Sequence, residues 1–420
     1  MELRKNGLLS QSIKIVQSRS FIDVLCIVSF LLSLVTIATL NDDPQLYVYN
    51  RVAMFSFMAL TMLSLLTKRK IIVRKGFYFL IGFLFIETFS LFFSYNIDVS
   101  FRSYLTQIQL FAFCVCIYLY FLNIGEQKHL LYGLYLAAFF TLVLALLRYG
   151  GISNFLNLMR NGERMGGKIG NENAFGLTFA WASLAAFWYM VRGKKYIHIL
   201  PFFIFIFFAL SSGSRKVLFV LIFGVVVLLL LRFGFRRIYK PILIFLILGL
   251  IFYNVLKLDI FDTFVKRANA FLEGGTDFST QGRLEMISAG WSLFLNNPFG
   301  YGLGSFAVLS GYGVYSHNGF IELLTSLGIF GFLYYYSIYL LFIASFLRYF
   351  KQKNKDDYYS FLVVYVIGSL VLMIGQVSLY SKTDPFLMAS ILVSLDSHKY
   401  TSRIYNDNTF ASRDLAKKGE

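Results

Sequence analysis

Residues Val217–Leu231 read VLFVLIFGVVVLLLL, fifteen consecutive residues without a charged or hydrogen-bonding side chain. Comparable apolar runs recur along the chain, and most of them reach the length that a helix needs to cross a bilayer. The 420 residues are 57% hydrophobic and 15% charged, whereas soluble proteins are about 25% charged. The sequence therefore predicts an all-α polytopic membrane protein, and it excludes a soluble enzyme, a disordered chain and a disulfide-stapled secreted domain.

About twelve membrane-spanning helices are predicted, of which the ninth and the twelfth are short. The expected spans are Phe21–Leu40, Tyr47–Leu66, Phe77–Phe93, Tyr104–Leu122, Leu130–Leu147, Phe175–Val191, Tyr196–Leu210, Val217–Leu231, Pro241–Tyr253, Gly328–Leu347, Tyr359–Gly375 and Pro385–Leu395. If the N-terminus lies inside, 26 of the 39 Lys and Arg residues fall in cytoplasmic segments. Because basic residues concentrate in cytoplasmic loops, we expect both termini in the cytoplasm. The net charge of +17 is then explained by these loops and by anionic lipid, and not by nucleic acid.

The loop lengths divide the chain into four predicted regions. They are residues 1–256 with transmembrane helices 1–9 and an outer loop at 148–174, a large extracytoplasmic loop at 257–315 that contains short helices, residues 316–396 with transmembrane helices 10–12, and a cytoplasmic tail at 397–420. Long ordered loops usually carry function, so we expect the site at the outer loops. No internal repeat is visible, which argues mildly against an inverted-repeat transporter.

The cytoplasmic loops are too short for a nucleotide-binding domain, and the sequence has no P-loop and no cluster of His, Cys and carboxylates with metal-ligand spacing. We therefore expect no metal and no cofactor, and a substrate that arrives through the membrane or from outside. Intramembrane Asp23 and Arg51 are expected to be paired structural residues, and Glu87 lies deep enough for a functional role to stay open.

Of the four histidines, only His317 falls on the predicted outer side, in Ser316–Leu324 (SHNGFIELL). If this stretch is helical, His317, Ile321 and Leu324 share one face. An imidazole is the side chain best suited to proton transfer near neutral pH, which makes His317 a candidate general base. The alternative is an interfacial histidine that is bonded to a carbonyl.

Two arginines occupy outer positions that favour anions. The hairpin tip Ser211–Lys216 (SSGSRK) places Ser214 and Arg215 where hydroxyl, amide and guanidinium groups could bind phosphate oxygens. The alternative there is a tight turn with a snorkelling cation. In Ser279–Met286 (STQGRLEM), Ser279 or Thr280 is expected to cap a helix, so that Arg283 falls in its first turn, where anions are favoured.

Two further segments are candidates for substrate binding. The Gly-x-Gly-x-Gly run that contains Gly302 and Gly304 allows the backbone to approach a substrate, or else it only turns the chain. In Arg164–Gly176, Arg164 and Lys168 would add to an anion site, whereas the asparagines are equally suited to caps and turns.

Taken in order, these motifs resemble those of the O-antigen ligases and the O-antigen and capsular polysaccharide polymerases. Asn171–Gly176 (NENAFG) looks like the family's Asn-Pro-Asn segment, with Glu in place of the usual proline. Gly213–Arg215 resembles its Ser-Arg hairpin, Gly282–Gly304 its Arg…Pro-x-Gly-x-Gly segment, and His317–Gly331 its His-Asn…Gly-x-x-Gly segment. The resemblance spans roughly residues 164–332, and the first part of the chain offers nothing comparable.

The resemblance implies the architecture of the C-type membrane glycosyltransferases and a metal-independent, inverting transfer at the outer face of the bacterial plasma membrane. The donor would be a glycan on undecaprenyl pyrophosphate, and the acceptor a second glycan. Arg215 and Arg283 would hold the pyrophosphate, and His317 would assist the acceptor hydroxyl. The expected substrate-binding residues are Arg164, Lys168, Asn171, Asn173, Ser214, Asn318, Gly302 and Gly304.

A polymerase is favoured, because the composition rich in Lys, Phe and Tyr suggests an AT-rich source such as a Gram-positive capsule locus. The alternatives are a ligase that uses a different acceptor and, more distantly, a flippase for the lipid-linked glycan. A chain-length regulator and a separate flippase are candidate partners.

Overall fold

The computed structural model describes residues 20–40, 46–193, 196–234, 278–349 and 357–397, together with isolated residues between 234 and 278. Its main helices are α1 Phe21–Leu40, α2 Tyr47–Leu66, α3 Lys75–Ser90, α4 Ile97–Asn123, α5 His129–Tyr149, α6 Ile152–Arg160, α7 Glu172–Gly193, α8 Ile199–Ser211, α9 Arg215–Phe233, α10 Phe278–Asn296, α11 Ser305–Leu309, α12 Gly319–Tyr349 and α13 Asp357–Leu372. A last helix, α14, covers residues 384–397. Within the described ranges the fold is entirely helical, as predicted.

Eight of these helices are long and apolar enough to cross a membrane, namely α1 to α5, α7, α9 and α12. The predicted count of twelve is not confirmed. The seventh and eleventh predicted spans correspond to shorter apolar helices, and the twelfth corresponds to α14. The ninth, Pro241–Tyr253, falls for the most part outside the described residues, as do loop residues 258–264 and 266–277 and tail residues 398–420. The division of the chain into four regions stays a prediction.

Aromatic rings fill the contact between the first helices and the last one. Phe30 of α1 stacks on Tyr120 of α4 with 4.7 Å between the ring centroids. Edge contacts from Phe57, Phe113 and Phe386 complete the group. Such ring pairs stabilise a helix contact beyond the buried area alone, so α14 is held against the N-terminal helices.

The polar residues inside the membrane helices differ in how they are satisfied. Asp23 pairs with Lys68 at 3.2 Å, and the Arg51 guanidinium lies 5.0 Å from the ring centre of Tyr47. Both side chains therefore have partners, and a purely structural role stays a prediction for them. Glu87 is only 1% exposed, and its Oε1 has no hydrogen-bond partner in the described part of the chain.

Backbone hydrogen bonds join the connecting segments at one end of the bundle. The pairs are Met165 N to Ser211 O at 3.0 Å, Gly319 N to Met373 O at 2.7 Å, and Tyr95 N to Tyr301 O at 2.9 Å. These segments contain or adjoin the motifs at residues 164–176, 211–216, 300–304 and 316–324, so the fold brings these four motifs to one end of the molecule.

Helix α12 is broken at Gly328, where φ is 66° and ψ is −167°. A break leaves the last carbonyls of the first segment without their usual donors. The loop that follows α10 supplies them: Tyr301 N donates to Thr325 O at 2.8 Å, and Gly302 N donates to Ser326 O at 3.0 Å. A methyl group at Gly328 would collide with the carbonyl of Phe299. The break and the loop therefore depend on each other.

We expect Gly328→Ala to lower the unfolding temperature of the protein in detergent. The backbone conformation there is restricted almost entirely to glycine and costs another residue about 1–3 kcal/mol, and the collision with Phe299 adds to this. Gly313→Ala is the matched control, because Gly313 has a similar φ of 69° but open space around it. Equal unfolding temperatures for the two variants would contradict the pairing of loop and break.

Candidate active site

A cavity of about 500 Å³ opens at the end of the bundle where the motifs meet. The basic side chains among its described lining residues are Lys216, Arg283, Lys382 and His317. No carboxylate is found among the described residues that line it. Deeper in, it is bounded by apolar side chains of the membrane helices, which are Leu34, Ile37, Leu130, Leu134, Leu177 and Phe386. One end of the cavity is thus suited to an anion and the other to a hydrocarbon chain.

His317 occupies a strained turn directly before α12. Among the described residues it is the only non-glycine with a positive φ, at 55°. Helix α12 begins at Gly319, so the expectation that His317 shares a helical face with Ile321 is wrong. The ring instead lies 4.5 Å from that of Tyr315, centre to centre, and both line the cavity. Strain of this kind persists only where the surroundings enforce it.

Hydrogen bonds on both sides of His317 hold this turn. Glu322, which is 1% exposed, accepts from Ser316 N at 2.9 Å. Asn318 accepts through its Oδ1 from the amides of Phe320 and Ile321 and so caps α12. Its Nδ2 donates to a carbonyl that follows α13, at 3.0 Å. Asn318 therefore positions the histidine, and a direct role in substrate binding stays a prediction for it.

Arg283 and Lys216 line the cavity from two different helices, α10 and α9. Helix α10 begins at Phe278, so Ser279 and Thr280 lie inside it and not at its cap, and Arg283 falls in the second turn. Lys216 is in the first turn of α9, and its Nζ donates to Gly375 O at 2.5 Å. Burial lowers the pKa of His317, and the positive charges of Arg283 and Lys216 lower it further. The lowered pKa favours the neutral imidazole, which is the form that can accept a proton.

Arg215, the expected ligand of pyrophosphate, is not among the described residues that line the cavity. It is half-buried and precedes Lys216 by one position, and successive helical residues point about 100° apart. Ser214 precedes α9 and is buried, and its hydroxyl has no hydrogen-bond partner in the described part of the chain. Roles in phosphate binding stay predictions for both residues.

Arg164 connects the loops around the cavity through hydrogen bonds and an ion pair. Its Nε donates to Ser212 O at 2.9 Å, and its guanidinium lies 3.3 Å from Asn173 Oδ1 and 3.8 Å from Glu172. Lys168 is exposed and lies over the ring of Tyr149 at 5.0 Å. Neither cation is part of the described lining, so substrate binding by them stays a prediction.

Asn171 and Asn173 both line the cavity where α7 begins. The Asn171 side chain accepts from the amides of Asn173 and Ala174 at 2.8 and 3.2 Å and so caps the helix. The capping alternative is therefore confirmed for Asn171, although the same residue faces the cavity.

Gly302 and Gly304 are packed against α4 instead of the cavity. A methyl group on Gly302 would come within 2.7 Å of Ser100 Oγ, and one on Gly304 within 2.5 Å of Ser103 Oγ. Gly304 N also donates to Tyr380 Oη at 3.0 Å. These glycines let the loop approach a helix closely, and direct contact with substrate stays a prediction.

Three residues that line the cavity are not predicted from the sequence motifs, namely Lys216, Lys382 and Tyr315. Lys216 lies in the hairpin motif directly after Arg215, and Tyr315 lies two positions before His317. Lys382 lies between α13 and α14, in no motif. In the described ranges, no three His, Cys, Asp or Glu side chains group as ligands for a metal ion.

Residues 200–336 match a family model described as O-antigen ligase. The segment covers about a third of the chain and contains Lys216, Arg283 and His317. The resemblance read from the motifs is thereby confirmed for this segment, which supports a glycan-processing role in a membrane. A comparison with curated proteins gives no match.

We expect the pKa of His317 to lie below 6.5, the ordinary value for histidine, and to rise in Arg283→Gln, because one of the two neighbouring positive charges is removed. The measurement is an NMR titration of carbon-13-labelled histidines, with the signal assigned by its loss in His317→Asn. Arg160→Gln is the control, since Arg160 is exposed on α6. An unchanged pKa in Arg283→Gln would contradict the proximity of the two side chains.

Proposed function

We propose that this protein is a glycosyltransferase that takes a glycan from a polyprenyl pyrophosphate lipid and passes it to an acceptor hydroxyl at the outer face of the bacterial plasma membrane. The observation that carries the proposal is the divided lining of the cavity. Three cations stand at one end without a described carboxylate, and an apolar slot follows along the membrane helices. A lipid pyrophosphate has both an anionic head and a hydrocarbon chain, and it therefore fits this lining.

The apolar slot is long enough for the first part of a lipid chain. Leu130 and Thr141 both line the cavity and are eleven residues apart on α5, which corresponds to about 16 Å along the helix axis. Leu34 and Ile37 of α1 line the same stretch. The first isoprene units of undecaprenyl pyrophosphate would lie here, with the pyrophosphate between Lys216 and Arg283.

The glycan would meet a rim of neutral polar side chains. These side chains are Asn171, Asn173, Gln376, Ser378, Ser381 and Thr383. Amides and hydroxyls are suited to sugar hydroxyl groups because they donate and accept without a fixed charge. Tyr315, which is 48% exposed, offers a ring on which a sugar can stack.

In the proposed reaction, the acceptor oxygen attacks the anomeric carbon of the donor sugar while the bond from that carbon to the pyrophosphate oxygen breaks. His317 takes the proton of the acceptor hydroxyl. The lipid pyrophosphate leaves, and Arg283 and Lys216 stabilise its charge. Attack opposite the leaving group inverts the anomeric centre. Side-chain cations carry the charge, so the proposal includes no metal ion and no cofactor.

We propose a growing glycan chain as the acceptor, which makes the protein a polymerase. A ligase that uses a different acceptor is the second candidate, because the matching family model is described as O-antigen ligase. The test incubates the purified protein with lipid-linked repeat units. A ladder of longer lipid-linked products supports the polymerase, and a single transfer to another acceptor supports the ligase. Transbilayer movement of the lipid without any product would overturn both.

Lys216→Met should reduce product formation by roughly 10- to 100-fold, because a hydrogen bond to a charged group contributes about 1.5–3 kcal/mol. Lys216→Arg keeps the charge and should retain more activity than Lys216→Met. Arg160→Met serves as the control for loss of an exposed cation. Equal turnover of Lys216→Met and the unaltered protein, at equal unfolding temperature, would exclude Lys216 from the anion site.

His317→Gln should lower turnover at saturating donor and acceptor by about 10²–10⁴, the contribution expected of a general base. Donor affinity should change less than turnover, since glutamine can still form hydrogen bonds but cannot take the proton. Steady-state kinetics with purified variants of matched stability provide the comparison. Near-normal turnover of His317→Gln would show that the histidine only positions the substrate.

A further inference from the structure

Helix α10 lies along the first segment of α12. Gly290 allows the close approach, because a methyl group there would collide with Ile321 and come within 3.1 Å of the Phe306 ring. Arg283, seven residues earlier on α10, lines the cavity. This side of α10 therefore packs against the rest of the protein and contributes Arg283 to the cavity.

Another side of α10 carries large apolar side chains that no described residue covers. Leu284, Trp291 and Leu295 are 56%, 48% and 61% exposed, and their spacing of seven and four residues places them in one stripe. Glu285 and Ser292 are exposed beside the stripe and form a polar strip. A helix with an exposed apolar stripe next to a polar strip is typical of the boundary between water and lipid.

The stripe continues into the lipid-facing surface of α12. Phe299, which follows α10, lies with its ring 6.0 Å from that of Phe330, and both are about two-thirds exposed. Phe330 begins the exposed apolar side of α12, which continues through Leu333 and Leu340. Since α12 is a membrane-spanning helix, its exposed apolar side faces lipid, and the stripe on α10 extends that contact.

The break at Gly328 decides which part of α12 crosses the membrane. The helix has 31 residues, about 46 Å if it were straight, whereas the hydrocarbon layer is about 30 Å thick. Residues 329–349 alone reach about 32 Å. The segment before the break, residues 319–327, is thus not needed for crossing, and α10 lies beside this segment.

From these observations we propose that α10 is a membrane-surface helix that seats Leu284, Trp291 and Leu295 in the outer leaflet of the bilayer. Trp is the residue that membrane proteins prefer at this depth. Arg283 is adjacent to Leu284, so the seating would hold its guanidinium at the level of lipid headgroups. This last consequence rests on the proposed function, because only a lipid-linked donor presents its pyrophosphate there.

The test places a spin label at single positions of the full-length protein in vesicles of phosphatidylethanolamine and phosphatidylglycerol. Oxygen concentrates in the bilayer and a nickel chelate stays in water, so their collision rates with the label report depth. Labels at Leu284→Cys, Trp291→Cys and Leu295→Cys should collide more with oxygen than with nickel. Labels at the matched controls Glu285→Cys and Ser292→Cys should show the reverse.

The native cysteines provide the background measurement. Cys26, Cys114 and Cys116 are buried, so the unaltered protein treated with the same reagent reports any labelling of them. Greater exposure to nickel at all stripe positions would overturn the proposal, because the helix would then stand in water. Protection of the stripe from both reagents would also overturn it, because protein would then cover the helix.

The measurement needs neither donor nor transfer, so it is independent of the proposed reaction. Lipid exposure of the stripe together with no product from lipid-linked repeat units would retain the surface helix and reject the transferase. Product formation together with a water-exposed stripe would retain the transferase and reject the surface helix.

Discussion

Hydrogen bonds between the loop after α10 and the broken helix α12 organise the end of this protein where the cavity opens. Inside a membrane protein, every peptide group needs a partner, and a broken helix exposes several at once. The amides of Tyr301 and Gly302 satisfy the carbonyls that the break at Gly328 releases. This pairing draws the segment after α10 against α12. It thereby places Arg283 and His317, which are distant in sequence, at one cavity.

The group of positive charges at the cavity is an electrostatically unfavourable arrangement. Lys216, Arg283 and Lys382 line one space, and none of the described lining residues carries a negative charge. Like charges in a partly buried site repel each other, so the folded state loses free energy there. Proteins commonly retain such a cost at functional sites. The physical argument for an anionic ligand is therefore stronger than the presence of any one cation.

Hydropathy alone predicts much of the fold. The predicted start of the tenth span, Gly328, coincides with the break in α12, because composition changes where the spanning part begins. Polar motifs on the predicted outer side include Arg283, His317, Asn171 and Asn173, which do line the cavity. The predicted number of twelve spans is not confirmed, because short apolar helices such as α8 and α13 fall below the length that crossing requires.

The features of the site that the sequence does not predict have a common physical origin. Whether Arg215 or Lys216 enters the cavity depends on a rotation of about 100° per residue, which no motif encodes. The roles of Gly302 and Gly304 depend on Ser100 and Ser103, which lie about two hundred residues away in the chain. Composition and spacing report local preference, and these features are set by tertiary contacts.

The positive charges around His317 also couple proton affinity to ligand binding. Burial lowers the pKa of His317, and the positive charges of Arg283 and Lys216 lower it further, so the imidazole is a weaker base. An anion bound between them would compensate those charges, and the proton affinity of His317 would rise. By thermodynamic linkage, a proton on the imidazole would in turn tighten the hold on the anion. An anion bound in this cavity would thus itself make His317 a stronger base.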